Sequence, residues 1–160
     1  MPSPPPPAPK ASQAREAAPR PAEGTPADRD ADAAALEATP SHHPGSPLLS
    51  HGLEIRTVRP DFVGYSLTTV LTASPRNPVV QMSFDRRGVV REASFFKQTV
   101  QAAEFGRPAR FMVHSTGFDL VDAPLLNSVY QWTARGRALD ELPENDPEAR
   151  VTILVRVILR

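Results

Sequence analysis

The stretch Pro78–Phe96, PVVQMSFDRRGVVREASFF, decides the fold. Val80, Met82 and Phe84 alternate with Gln81 and Ser83, which places the three apolar side chains on one face of a strand. The chain then runs through Asp85, Arg86, Arg87 and Gly88 before an extended pattern resumes at Val89. Aspartate accepts backbone hydrogen bonds as a turn starts, and Gly88 supplies the positive φ that a three-to-four-residue hairpin loop needs near its end. The stretch reads as a β-hairpin, and its apolar face requires another element to cover it.

That element lies downstream. Asp122 is placed as an N-cap and Pro124 suits a first helical turn, where an N–H has no intrahelical partner. Leu125, Leu126, Val129, Tyr130 and Trp132 then span an arc of about 160°, with Asn127, Ser128, Gln131 and Arg135 opposite. Gly136 is positioned to end the helix as a left-handed cap. DELPENDPE (140–148) is a polar connection, and RVTILVRVILR (150–160) alternates Val151, Ile153, Val155, Val157 and Leu159 against Thr152, Leu154, Arg156 and Ile158. This predicts a final strand of about nine or ten residues.

Upstream, LEIRTV (53–58) and SLTTVLTAS (66–74) read as short strands. Between Lys97 and Met112 the pattern degrades into an insertion, with a helical turn at Val100–Glu104, a bend at Gly106–Pro108, and a structural loop or extra hairpin favoured over a functional loop. The fold expectation is α+β: a small antiparallel sheet packed against one main helix, spanning residues 49–160.

Residues 1–48 differ in kind. Up to Pro47 the chain holds twelve of the nineteen prolines and no Phe, Tyr or Trp. Such composition buries too little apolar surface to offset chain entropy, so a disordered Pro/Ala-rich linker is expected, extended at Pro4–Pro7. ADAAALEA (31–38) is too short to hold a helix alone. His42, His43 and His51 stand among Pro, Gly and Ser with no acidic or Cys partner at a fixed spacing, and read as solvated linker residues rather than metal ligands.

Net charge is zero, and residues 1–47 carry four basic and six acidic groups against fourteen and twelve beyond them. Neither part has the cationic excess of a nucleic-acid binder. No cysteine is present, which excludes disulfides, thiolate metal sites and thiol nucleophiles. HSTGFD (114–119) gathers His114, Ser115 and Asp119, yet no nucleophile elbow or phosphate loop accompanies them, and the segment reads as a turn into the helix. Neither enzymatic activity nor a cofactor is expected. MPSPPPPAPK lacks the features of a secretory signal, and no window approaches 18 apolar residues, so the chain as written is expected to be soluble.

A Gly-closed hairpin (Val79–Phe95), an STG turn with an Asp before a helix ending in Trp (Ser115–Trp132), a polar loop and a final alternating strand (Val151–Leu159) together resemble the C-terminal domain of TonB-type energy transducers. The Pro-rich N-terminal tract is similar to the periplasmic spacer of that family. The insertion at 97–112, SPRNP (74–78) in place of a tyrosine-proline element, and the long connection after Ala138 depart from the family pattern. The resemblance implies a periplasmic coupling domain, anchored in the inner membrane if a helix precedes Met1, which carries proton-motive work from an ExbB/ExbD-type motor to an outer-membrane TonB-dependent receptor. It implies docking by strand addition along Val151, Thr152, Ile153, Leu154, Val155, Arg156, Val157 and Ile158. The alternatives are a soluble envelope interaction domain without energy transduction, self-associating as a homodimer through the same strand, and a TolA-like adaptor.

Overall fold

The computed structural model describes residues 26–160, which run in the order α1 (Pro26–Glu37), β1 (Ser41–His42), β2 (Pro47–Ser50), β3 (Leu53–Arg56), α2 (Tyr65–Thr72), β4 (Val79–Phe84), β5 (Val90–Phe95), β6 (Lys97–Gln101), β7 (Arg110–Val113), α3 (Asp119–Val129), β8 (Thr133–Arg135), α4 (Arg137–Asp140) and β9 (Val151–Val157). The strands form three small sheets, ordered β1-β9-β4-β5, β2-β3-β8 and β6-β7. The fold is α+β. It differs from a single antiparallel sheet under one helix, since β1 joins β9 in parallel and the remaining strands split off.

The decisive hairpin forms as read. β4 and β5 pair antiparallel from Val80↔Phe95 to Phe84↔Val90, and the Gly88 amide donates to the Asp85 carbonyl at 2.9 Å. Asp85 Oδ1 also accepts the Arg87 and Val89 amides at 2.9 and 3.0 Å, and Oδ2 accepts Arg91 Nε at 2.6 Å. Gly88 has φ 76°, and a Cβ built there would lie 1.8 Å from the Ala134 carbonyl oxygen, so the position admits glycine alone. The reason is tertiary: the Ala134 amide donates to the Gly88 carbonyl at 2.8 Å, which joins β8 to the tip of the hairpin.

One core fills the space between the sheets and α3. Val80, Met82 and Phe84 of β4, Ile153, Val155 and Val157 of β9, Leu125 and Val129 of α3, and Ile55 of β3 are buried in it together with Trp132. Trp132 satisfies its indole N–H by donating from Nε1 to the Val58 carbonyl at 3.0 Å, as a buried indole must.

Four expectations need correction. First, the span 26–48 is not a spacer: it carries α1, β1 and the start of β2. The segment 31–38 falls largely within the twelve-residue α1, which is still too short to hold alone and is held by packing on β6, where Asp32 Oδ2 accepts the Thr99 amide at 2.7 Å. The Pro4–Pro7 tract lies outside the described residues. Second, residues 66–74 are not a strand, since Tyr65–Thr72 is helical. Each of its threonines, Thr68, Thr69 and Thr72, back-bonds to the carbonyl four residues earlier, which satisfies the hydroxyls within the helix. Third, the main helix begins at Asp119 with Phe118 as its cap and ends at Val129. Asp122 therefore sits in the first turn, where its Oδ1 accepts the Thr116 amide and hydroxyl at 3.0 and 2.6 Å and fastens the STG turn to the helix. Pro124 falls inside the helix, Trp132 follows it, and Gly136 (φ 139°) precedes α4 instead of closing α3. Fourth, the insertion carries no helical turn at 100–104; it forms the β6–β7 hairpin with its bend at Gly106.

Candidate docking edge

The segment 151–158 contains β9, whose seven residues are fewer than the alternation suggests. β9 is an inner strand. On one side it pairs antiparallel with β4, from Val79↔Arg156 to Phe84↔Val151. On the other side its only strand neighbour among the described residues is the two-residue β1, at Ser41↔Arg156 and His42↔Val157.

Alternation along the strand separates the two edges. The Val157 amide donates to Pro78 at 2.9 Å, on the β4 side, whereas the Arg156 and Ile158 amides donate to the Pro40 and His42 carbonyls at 2.8 Å each. By the same period the N–H and C=O groups of Thr152 and Leu154 face outward, and among the described residues no strand takes them. The edge is thus closed at its C-terminal end and open at its N-terminal end. The side chains divide likewise: Ile153, Val155 and Val157 are buried in the core, while Thr152, Leu154, Arg156 and Ile158 occupy the opposite face. On that face Thr152 Oγ1 hydrogen-bonds Ser83 Oγ at 2.7 Å, and Arg156 reaches the Leu36 carbonyl at 3.5 Å.

The closing segment is held by His42, which is buried instead of solvated in a linker. Its ring stands edge-on to Trp132 with centroids 6.3 Å apart. The Thr57 hydroxyl donates to the Ser46 carbonyl at 2.6 Å and accepts the Gly45 amide at 2.8 Å. His42 Nε2 lies 3.1 Å from both Ser46 O and Thr57 Oγ1, and this network assigns it the proton. Burial pushes the His42 pKa below its ordinary value; the bond to Ser46 opposes this and the neighbouring His43 adds to it. His43 and His51 are exposed.

His114, Ser115 and Asp119 form no triad. His114 Nε2 bonds Gln98 Oε1 at 2.9 Å, Ser115 Oγ accepts the Gly117 amide at 3.2 Å, and Asp119 is exposed in the first turn of α3. Burial, then the charges of Arg156 and Arg76, lower the His114 pKa.

Two features of the edges have no signature in the sequence. A two-residue strand between prolines shows no periodicity, so β1 cannot be read from Ser41 and His42. Tyr130, counted in the apolar arc of the helix, is instead half-exposed; its hydroxyl accepts the Ala93 amide at 3.2 Å and lies 3.4 Å from the Ala93 carbonyl. It blunts the outer edge of β5, leaving the N-terminal part of β9, beyond the reach of β1, as the unblunted edge of the main sheet. No protein-family model, curated protein or solved structure matches the chain. Among the described residues no helix is long and apolar enough to cross a membrane.

Proposed function

We propose that this chain is a periplasmic coupling domain of the kind it resembles, which takes an extended segment of an outer-membrane TonB-dependent receptor as an added strand on β9 and passes proton-motive work to it. The observation that carries the reading is the half-open edge: outward-facing backbone groups at Thr152 and Leu154, beside a strand whose other side is fully paired. Strand addition draws its affinity from such groups, so the side chains there need carry no catalytic chemistry. The element order supports the same reading, with a hairpin, then a helix, then a last strand that returns beside the first strand of the hairpin. In this reading the domain is not an enzyme, and an inner-membrane motor of the ExbB/ExbD type supplies the force.

Amide hydrogen exchange tests this. In the free protein Thr152 and Leu154 should exchange quickly while Arg156 and Ile158 exchange slowly, and a synthetic peptide copying the N-terminal extended segment of such a receptor should slow the first pair. Slow exchange at all four positions without peptide, or no change on adding it, would remove the mechanism.

A further inference from the structure

The β6–β7 hairpin presents a second edge, and its chemistry differs from that of β9. Its β6 side is closed by α1 through the Asp32 bond to the Thr99 amide. Because the Thr99 amide points away from β7 and Thr99 stands opposite Phe111, the backbone groups of Phe111 point away from β6, and by the two-residue period so do those of Val113. Among the described residues no strand pairs with that side of β7.

The side chains there are apolar. Phe111, Met112 and Val113 are 46, 41 and 43 % exposed, on both faces of a two-stranded ribbon. An unpaired strand edge is ordinarily blunted by a charge, a proline or a covering element, and consecutive exposed apolar residues on one mark an interaction site. Around them stand Lys97, Arg107 and Arg110; the nearby carboxylates are Glu104 at the tip and Asp32 on the α1 side, which is engaged by the Thr99 amide, and among the described residues none of the three cations has a carboxylate within ion-pair distance. Arg107 and Arg110, with Gln101 and Pro108, line an open groove where β7 begins.

We propose that β7 is a second docking edge, which takes an extended, acidic segment of a partner protein as the third strand of the β6–β7 sheet. The partner backbone pairs with Phe111 and Val113, its apolar residues cover Phe111 and Met112, and its carboxylates reach Arg107 and Arg110. A second copy of this chain fits less well, because it adds the same cations to the interface. A lipid surface also fits less well: the apolar residues run along the strand, and the exposed Phe105 at the tip stands next to Glu104.

The test is an NMR titration of the full chain, labelled with nitrogen-15, by a capped seven-residue peptide of alternating valine and glutamate, with the valine–lysine peptide as control. The acidic peptide should shift the Phe111 and Val113 amides and slow their exchange, and the lysine peptide should not. The doubly substituted Arg107→Glu/Arg110→Glu protein, its other resonances unchanged, should bind the acidic peptide at least tenfold more weakly. Four results would overturn the proposal: unmoved Phe111 and Val113 amides, equal response to both peptides, protection that rises with protein concentration alone, or protection by phosphatidylserine vesicles in place of the peptide. Shifts confined to Thr152 and Leu154 would count against this site while leaving the β9 reading intact.

Discussion

The two hairpins that follow one another along the chain, β4–β5 and β6–β7, use similar turns to opposite ends. Gly88 and Gly106 both have φ 76°, but a Cβ at Gly88 would strike the Ala134 carbonyl whereas one at Gly106 would meet nothing within 4 Å. The first hairpin is fastened on every side: β9 pairs with β4, Tyr130 blunts β5, and β8 meets the turn. The second is fastened where α1 reaches β6 and at its base, where the Val79 amide donates to the His114 carbonyl at 2.9 Å, while among the described residues no strand pairs with the outer side of β7. A turn glycine of the same backbone conformation therefore serves a core or a surface, depending on what approaches it.

The largest expected effect comes from Gly88→Val, which should prevent folding or cost more than about 4 kcal/mol in denaturant melts, because both the backbone conformation and the contact with Ala134 forbid a side chain. Phe84→Ala, in the first hairpin, should cost about 3 to 5 kcal/mol as a buried aromatic, against less than about 1 kcal/mol for Phe111→Ala in the second. Equal losses would erase the distinction between the hairpins.

Asp85→Ala should cost about 2 kcal/mol, since it removes hydrogen bonds to a charged acceptor. The cost has a pH signature. Burial works against the Asp85 carboxylate, but the Val89 amide, the Arg91 guanidinium and the Arg87 amide outweigh it and hold its pKa below the ordinary range. The stabilisation is therefore present above the unfolded value of about 3.9 and lost as pH falls through the folded one, so the difference between wild type and variant should shrink in acid. Gly106→Ala pays only for its backbone conformation, about 1 kcal/mol, and a larger loss in urea melts would mean that the second hairpin is as tightly held as the first.

The smallest effect concerns the segment that closes half of β9. The folded pKa of His42 lies below the unfolded value of about 6.5, so the neutral ring stabilises the fold above that pH, and stability declines as pH falls from there toward the folded value. His114 shifts in the same direction, so the contribution of His42 is the part of the slope that His42→Gln removes. An unchanged slope in thermal melts would show that His42 is not what holds β1 against β9.

What was legible in the sequence was local. Alternation at Val80–Phe84 and Val151–Val157 reports which face of a strand is buried, and Asp85 with Gly88 reports a turn, because each depends on residues within a few positions of one another. The docking candidate on β9 was legible as a strand but not as an edge. Whether its backbone groups are paired depends on Pro40 and His42, more than a hundred positions away, and no pattern within 151–158 records that. Packing on α3, with Ser66 and Val70 buried, accompanies the helix at 65–72, where threonine propensity pointed the other way, and packing on β6 holds α1 as a helix, where its composition suggested a linker. Its alanines bury little on their own, and α1 persists because β6 supplies the Thr99 amide that Asp32 accepts. Side-chain periodicity is written along the chain, whereas the pairing of backbone groups is settled only when distant segments meet.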